Sequence, residues 1–287
     1  MKRSRKFKLD KEAVKKINSE FDDKDLSDYT NYDVYEEEKP KHRFLKKLII
    51  RLVILCVIVM IVNIAILLYT GRLWFNEPKK RDYPIRGPVV TEEMGKISWK
   101  SFGSQNIQMA YIRATKGTSF EDANFRDNWN DSENSELYVG AYHVLVLDSD
   151  GEKQAEHFIE TVGDDLNGRL IPAVEIRLRG LYKLLPPDFY EASDNLSAYC
   201  DKIYEQYGVK PVIYCTSRTY SKMIEGDKRF DDCPIWYESL YSKPDENINW
   251  QFWSYTDRIK FSYYESGGYL EMAVFNGSED DIKKFIM

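Results

Sequence analysis

The sequence predicts an α/β fold, an irregular β/α barrel preceded by one membrane-crossing helix. Three observations carry that reading. From about Tyr83 onward, apolar strand-like runs alternate with helix-like ones, the pattern of parallel strands covered by helices. There are eight strand-like runs, enough for a sheet to close on itself. Ahead of them, Leu52 to Thr70 passes without a single charge.

Residues 1–47 read as a polar cytoplasmic tail. Lys, Asp and Glu dominate it, a short helix is expected around Leu9 to Ile17, and the rest has too little apolar surface to order itself. A basic cluster (Lys39, Lys41, Arg43, Lys46, Lys47, Arg51) closes the tail, and residues 48–70 follow as a transmembrane anchor. The roughly 19 charge-free residues would cover about 28 Å as a helix, close to the hydrocarbon thickness, with Arg51 snorkelling at the edge. More than 40 polar residues precede the run, which does not suit a cleaved signal peptide. The basic flank favours a cytoplasmic N-terminus, and hence a single-pass protein of the cell membrane with its C-terminal domain extracellular. Residues 71–82 form a linker in which Trp74 and Phe75 suit the outer interface and the stretch from Asn76 serves as a tether. Residues 83–287 are the barrel.

Strands are expected at Ile85 to Val90, Ile107 to Ala114, Leu137 to Leu147, Leu170 to Leu178, Pro211 to Cys215, Pro234 to Glu238, Trp250 to Trp253 and Tyr269 to Phe275. Helices fit Ala123 to Asn130, Glu152 to Val162, Ala192 to Tyr207 and Arg218 to Glu225. None fits between the last strands, so the barrel is expected to turn irregular there. Asp257 to Tyr264 reads as an inserted hairpin, and Ser278 to Phe285 as a closing helix capped by Ser278.

The net charge of -6 excludes a broad nucleic-acid surface. Aromatic residues make up 14%, enough to line a sugar cleft as well as fill a core. Cys56, Cys200, Cys215 and Cys233 show no CxxC spacing, which argues against zinc. One disulfide with a spare thiol fits the three cysteines outside the anchor; buried free thiols are the expectation.

The stretch LIPAVEIRLRG, Leu170 to Gly180, carries the chemistry. Strand alternation puts Glu175 and Arg177 on one face, about 6 to 7 Å apart. A glycosidase needs two carboxyls, and this strand supplies one beside a base. His143, one residue from Tyr142, falls on the opposite face and reads as a packed, hydrogen-bonded histidine.

An ordered series of motifs then resembles the lysozymes of glycoside hydrolase family 25, the Chalaropsis-type muramidases. They are GKISW (Gly95 to Trp99), AYIRATKGTSF (Ala110 to Phe120), GAYHV (Gly140 to Val144), QAEHF (Gln154 to Phe158), LIPAVEIR, KPVIYCTS (Lys210 to Ser217), PIWYES (Pro234 to Ser239), WQFWS (Trp250 to Ser254) and FNGS (Phe275 to Ser278). The resemblance covers nearly all of residues 85–287. It implies a TIM-barrel-like irregular β/α barrel that cleaves the β-1,4 bond between N-acetylmuramic acid and N-acetylglucosamine, with no metal or organic cofactor.

It also implies a disarmed site. Val89 stands where the family carries a first-strand Asp, Lys116 replaces a Glu, Glu175 stands at a supporting Asp, and Arg177 stands at the general acid. Glu271 corresponds to a late Asp, so Glu175 and Glu271 are the catalytic candidates that stay acidic, with Glu238 a further acid at a strand end. Arg177 cannot usefully donate a proton and would hold Glu175 ionised. Tyr142, Tyr214, Trp236 and Trp253 are expected to stack on sugar. The implied partner is peptidoglycan or a related glycan, met at the membrane surface, with muramidase activity weakened or lost. An active muramidase with a modified carboxylate set and a protein-binding envelope scaffold are the alternatives.

Overall fold

The structure is a computed structural model and describes residues 41–70, 73–103, 105–260 and 269–287, with Lys15, Lys16 and Ser19. The expected disordered tail and its short helix lie almost wholly outside these residues. So does the tip of the hairpin expected at Asp257 to Tyr264. Two compact units are present, residues 1–59 and 60–287.

Helix α1 spans Lys41–Tyr69. It begins earlier than the apolar run because Lys and Arg are themselves good helix formers. Its stretch Arg43–Tyr69 is long and apolar enough to cross a membrane, and none of its most apolar window is buried inside the protein. Leu, Ile and Val project all around it, as in a helix made for an apolar solvent.

The barrel strands are β1 (Arg86–Val90), β2 (Met109–Lys116), β3 (Phe120–Glu121), β4 (Tyr138–Val144), β5 (Ala173–Glu175), β6 (Val212–Thr216), β7 (Ile235–Glu238), β8 (Trp250–Ile259) and β9 (Leu270–Phe275). All eight expected strands are present, and β3 is a two-residue addition to the edge of β2. Apart from that antiparallel addition, neighbours from β1 through β8 pair in parallel. The last strand does not. β9 runs antiparallel to both β8 and β1 and closes the barrel between them. The cause lies in chain length: ten residues separate β8 from β9, fewer than the dozen or more that a parallel crossover needs. β8 is also longer than expected, running through Asp257 to Ile259, while the strand expected over Leu170 to Leu178 shortens to three residues.

Side chains alternate between two apolar layers. Inside the barrel lie Met109, Tyr111, Tyr142, Tyr214, Trp236, Phe252 and Phe275. Outside, Ile112, Val174, Ile213 and Tyr237 meet the helices. The main covering helices are α2 (Trp99–Gly103), α3 (Phe125–Asp131), α4 (Gly151–Val162) and α5 (Phe189–Tyr207). Asp150 caps α4 by accepting from the Lys153 amide at 3.1 Å, and Asp188 caps α5 by accepting from the Tyr190 amide at 2.8 Å. The helix expected over Arg218 to Glu225 is instead one short turn, α6 (Ser217–Thr219), followed by a π turn over Tyr220–Ile224. Ser278 caps α7 (Glu279–Ile282) in a reciprocal box with Asp281, as the sequence indicated.

The chain from Trp74 to Tyr83 is held against the barrel. Arg86, buried on β1, donates to the carbonyls of Pro78 at 3.1 Å and Tyr83 at 2.9 Å. The Trp74 indole donates to the Tyr255 carbonyl at 2.9 Å, and the Asn76 amide donates to the Ser239 carbonyl at 3.1 Å. Trp74 is therefore half-buried on the barrel instead of lying free for a lipid interface. Phe75 stays exposed and stacks on Tyr241 at 6.1 Å between centroids.

Barrel closure leaves no room at Gly87, where a Cβ would fall 1.5 Å from the Met109 carbonyl oxygen. Gly87→Ala is expected to force β1 away from β2 and cost about 3 kcal/mol, read as a lower urea midpoint with unchanged slope.

Candidate functional site

The C-terminal ends of the parallel strands form the mouth of the barrel, the end at which such barrels build their sites. Three glutamates and one arginine meet there. Arg177 follows β5 and lies almost fully buried. Its Nη2 donates to Glu175 Oε2 at 3.0 Å, and its Nη1 donates to Glu271 Oε2 at 2.9 Å and also to Glu238 Oε2. Arg179 donates through Nε to the other oxygen of Glu175 at 2.6 Å. The Arg177 guanidinium also lies 4.3 Å over the Tyr214 ring.

Local folding explains the convergence. Glu175, Arg177 and Arg179 are spaced by two along one chain segment, while Glu238 ends β7 and Glu271 lies on β9. Glu271 is paired across the sheet with Val89 of β1. Its Oε1 accepts from Ser254 Oγ at 2.7 Å and from the Tyr214 hydroxyl, and Ser254 in turn accepts from the Trp236 indole at 2.9 Å. A cavity of about 280 Å³ opens above, lined by Val89, Arg113, Tyr142, Arg177, Arg179 and Glu271 among others. A larger hollow of about 480 Å³ beside Arg86, Gln108 and Tyr138 belongs to the opposite end of the barrel, away from these charges.

Burial works against ionising Glu175, but the adjacent Arg177 and Arg179 cations outweigh it and pull its carboxyl down to about 2. Glu271 goes the other way. Burial raises it above the usual carboxylate range, Arg177 only partly offsets that, and the Glu175 charge adds to the rise. One member of the cluster is thus firmly anionic and another holds its proton more readily.

Glu175, Arg177 and Glu271 come together, and Glu238 joins them. Val89 is buried on the inner face, 5% exposed, and offers no charge to the cavity. Lys116 ends β2 with its side chain exposed, outside the carboxylate cluster. The rings expected to stack on sugar are, apart from Tyr142, withheld from the cavity. Tyr214 and Trp236 are stacked on each other at 4.3 Å and sealed in the barrel interior. Trp253 is on the outer face of β8, its indole donating to the Ser239 carbonyl at 2.9 Å, because alternation gives the inner face to Phe252 and Ser254. Tyr142 alone of the four lines the cavity.

His143 lies outside the barrel, as alternation requires. Thr115 Oγ1 is 2.7 Å from its Nδ1, Gln154 Oε1 is 3.2 Å from its Nε2, and the Tyr199 ring stacks on it at 5.0 Å. Burial drives its pKa down to about 3, so it is a neutral structural group. Cys200, Cys215 and Cys233 are buried free thiols. Among the described residues no cluster of three His, Cys, Asp or Glu is arranged to hold a metal ion.

Arg113, Arg179 and Ser254 were not singled out from sequence. Arg179 was within reach, since it continues the two-residue alternation of Glu175 and Arg177. Arg113 was not: its Nε donates to Asp122 at 2.9 Å across the β2–β3 reversal, and its Nη2 lies 3.3 Å from Glu92 and 3.4 Å from Glu93.

Comparison with known proteins joins this geometry to the motifs. Residues 90–263 match the family described as Glycosyl hydrolases family 25. The chain belongs to that family. A family 25 glycosyl hydrolase from Bacillus anthracis is 32% identical, with a TM-score of 0.68 over 74% of this chain and 97% of that one. The protein YegX of Escherichia coli strain K12 is 28% identical over 71% of this chain and 74% of its own length. Lysozyme M1 of Streptomyces globisporus is 34% identical over a shorter stretch, 31% of each chain. An autolytic lysozyme of Clostridium acetobutylicum is 23% identical over 60% of this chain and 51% of its own length.

Two outcomes follow from the cluster. Because the folded-state pKa of Glu175 is depressed, its stabilisation is complete above the unfolded carboxylate value and drains away as pH falls toward about 2. The stability difference between wild type and Glu175→Gln, measured by urea unfolding, is expected to be largest near neutral pH and to disappear only below about pH 2. Arg177→Met leaves three carboxylates crowded without their common cation. It is expected to cost about 3 to 5 kcal/mol at neutral pH, and less as acid neutralises them.

Proposed function

We propose that this chain is a membrane-anchored, outward-facing family 25 protein that recognises peptidoglycan glycan at the cell membrane, with muramidase chemistry weakened or lost. The observation that carries the reading is the Arg177 guanidinium bound to Glu175, Glu238 and Glu271 at the barrel mouth. Support for the glycan comes from family membership and from the named lysozymes among the relatives. Support for the anchor comes from the exposed apolar length of α1.

Glycoside cleavage by two carboxyls needs one to protonate the leaving oxygen and one to stabilise or attack the sugar cation. Arg177 occupies the position at which the resemblance places the donor, and an arginine keeps its proton at any physiological pH. Glu175, held near 2, has no proton to give. Val89 leaves the first-strand position without charge. Removing a positioned general acid costs about 100-fold to 10,000-fold in rate, and the absent first-strand carboxylate deepens the loss.

One observation favours a second reading, an active muramidase with a modified carboxylate set. Glu271 lines the cavity and holds its proton above the ordinary carboxylate range, so it could act as the acid while Glu175 remains ionised. Its hydrogen bonds from Ser254 and Tyr214 stabilise the anion and weaken that role.

Digestion of purified cell wall by the full chain in detergent separates the two. The expected result is reducing-end release at least about 100-fold below that of an active lysozyme, with gain in the Val89→Asp, Arg177→Glu double variant. Ordinary turnover by the wild type, abolished by Glu271→Gln, would overturn the first reading and establish the second.

A further inference from the structure

The loop between β5 and α5 leaves the barrel mouth immediately after Arg179 and carries apolar side chains that no described residue covers. Leu181 is 67% exposed, Leu184 81% and Leu185 67%, and Tyr190 in the first turn of α5 is 87% exposed. A second apolar pair, Phe75 stacked on Tyr241, belongs to the same end, because Tyr241 follows β7 and Asn76 is bonded to the Ser239 carbonyl. Exposed apolar side chains gathered at one end of a domain mark a docking face.

We infer that the part of this rim formed by the β5–α5 loop and the Phe75–Tyr241 pair docks on the outer surface of the lipid bilayer, beside the cavity and not across it. The inference rests on the anchoring reading above and adds an orientation to it. Chain length supplies the first argument for lipid. Only residues 70–73 separate the end of α1 at Tyr69 from Trp74, which is fixed to the Tyr255 carbonyl, with Asn76 fixed beside the mouth at Ser239. A fully extended chain covers at most about 3.5 Å per residue, so the site of attachment lies within roughly 20 Å of the end of the span. The domain is not free to drift away.

Chemistry supplies the second. Lys183 lies within the apolar loop, and Arg258 and Lys260 project at the end of β8 on the same side, packed over Tyr269 at 5.5 and 4.7 Å. Leucines and tyrosines interspersed with cations suit the boundary between acyl chains and anionic phosphate head groups, where aromatic rings and basic side chains both settle.

The test uses the full chain with Cys56→Ser, reconstituted in phosphatidylethanolamine–phosphatidylglycerol vesicles and carrying an environment-sensitive fluorophore on Leu184→Cys. Asn167→Cys, on an exposed turn before β5 at the opposite end, is the control. Quenching by lipids brominated on their acyl chains is expected to be at least about twofold stronger at position 184 than at 167, with a blue-shifted emission. Adding Leu181→Ser, Leu185→Ser and Tyr190→Ser should bring position 184 to the control value without changing the circular dichroism. A label at 184 as wet as that at 167, in vesicles that retain the chain through a carbonate wash, overturns the docking. The same wet label, drying only when a protein fraction is added, also overturns it in favour of a protein partner. Release of the chain by carbonate overturns the anchoring reading, and the docking with it.

Discussion

A guanidinium shared by three carboxylates is the contact on which the upper barrel depends. Bringing Glu175, Glu238 and Glu271 to one point costs Coulomb repulsion and desolvation, and Arg177 offsets both with donors aimed at all three. The arrangement is asymmetric. Glu175 takes two arginines and is fixed as an anion, while Glu271 is embedded among Tyr214, Ser254 and Arg177 with burial opposing its charge. A site built for proton transfer keeps its groups near the working pH. Here the strongest local interaction is spent on holding charges still.

The barrel interior reinforces that rigidity. Arg177 stands over Tyr214, Tyr214 stacks on Trp236, and Trp236 meets Tyr111 and Phe252, so the floor beneath the cluster is a continuous pile of rings. Large rings in fixed contact restrict one another's rotamers. The cluster therefore sits on a closely packed aromatic floor. Around it, Arg113, Tyr142 and Arg179 join Arg177 and Glu271 in lining the cavity.

Much of this was legible in the sequence, and the parts that were not share physical causes. Period-two alternation put Glu175 with Arg177 and turned His143 away from Tyr142, because a polar residue among apolar ones marks its face clearly. Trp253 went to the wrong face for the opposite reason: β8 is buried on both sides, so WQFWS carries no contrast between inside and outside. The antiparallel entry of β9 was visible only as a missing helix. Partners of Arg177 lie 61 and 94 residues away along the chain, and only the closed barrel reveals which acids it meets. The docking of residues 74–83 had no sequence signal, since Arg86 recognises backbone carbonyls, which every residue owns.

β9 is seamed to β8 on one side and to β1 on the other, and the chain end beyond it returns beneath β5, where Met287 donates to the Arg169 carbonyl at 2.8 Å. In a polypeptide delivered from its N-terminal side, β1 can find β2 early, but its second edge waits for a strand about 180 residues later. An open edge of that kind is a template for pairing with any other chain. Between the emergence of the first strand and the last, the half-made barrel is a vulnerable object, and its safe assembly depends on the first strand being sheltered until the final hairpin arrives to seal it.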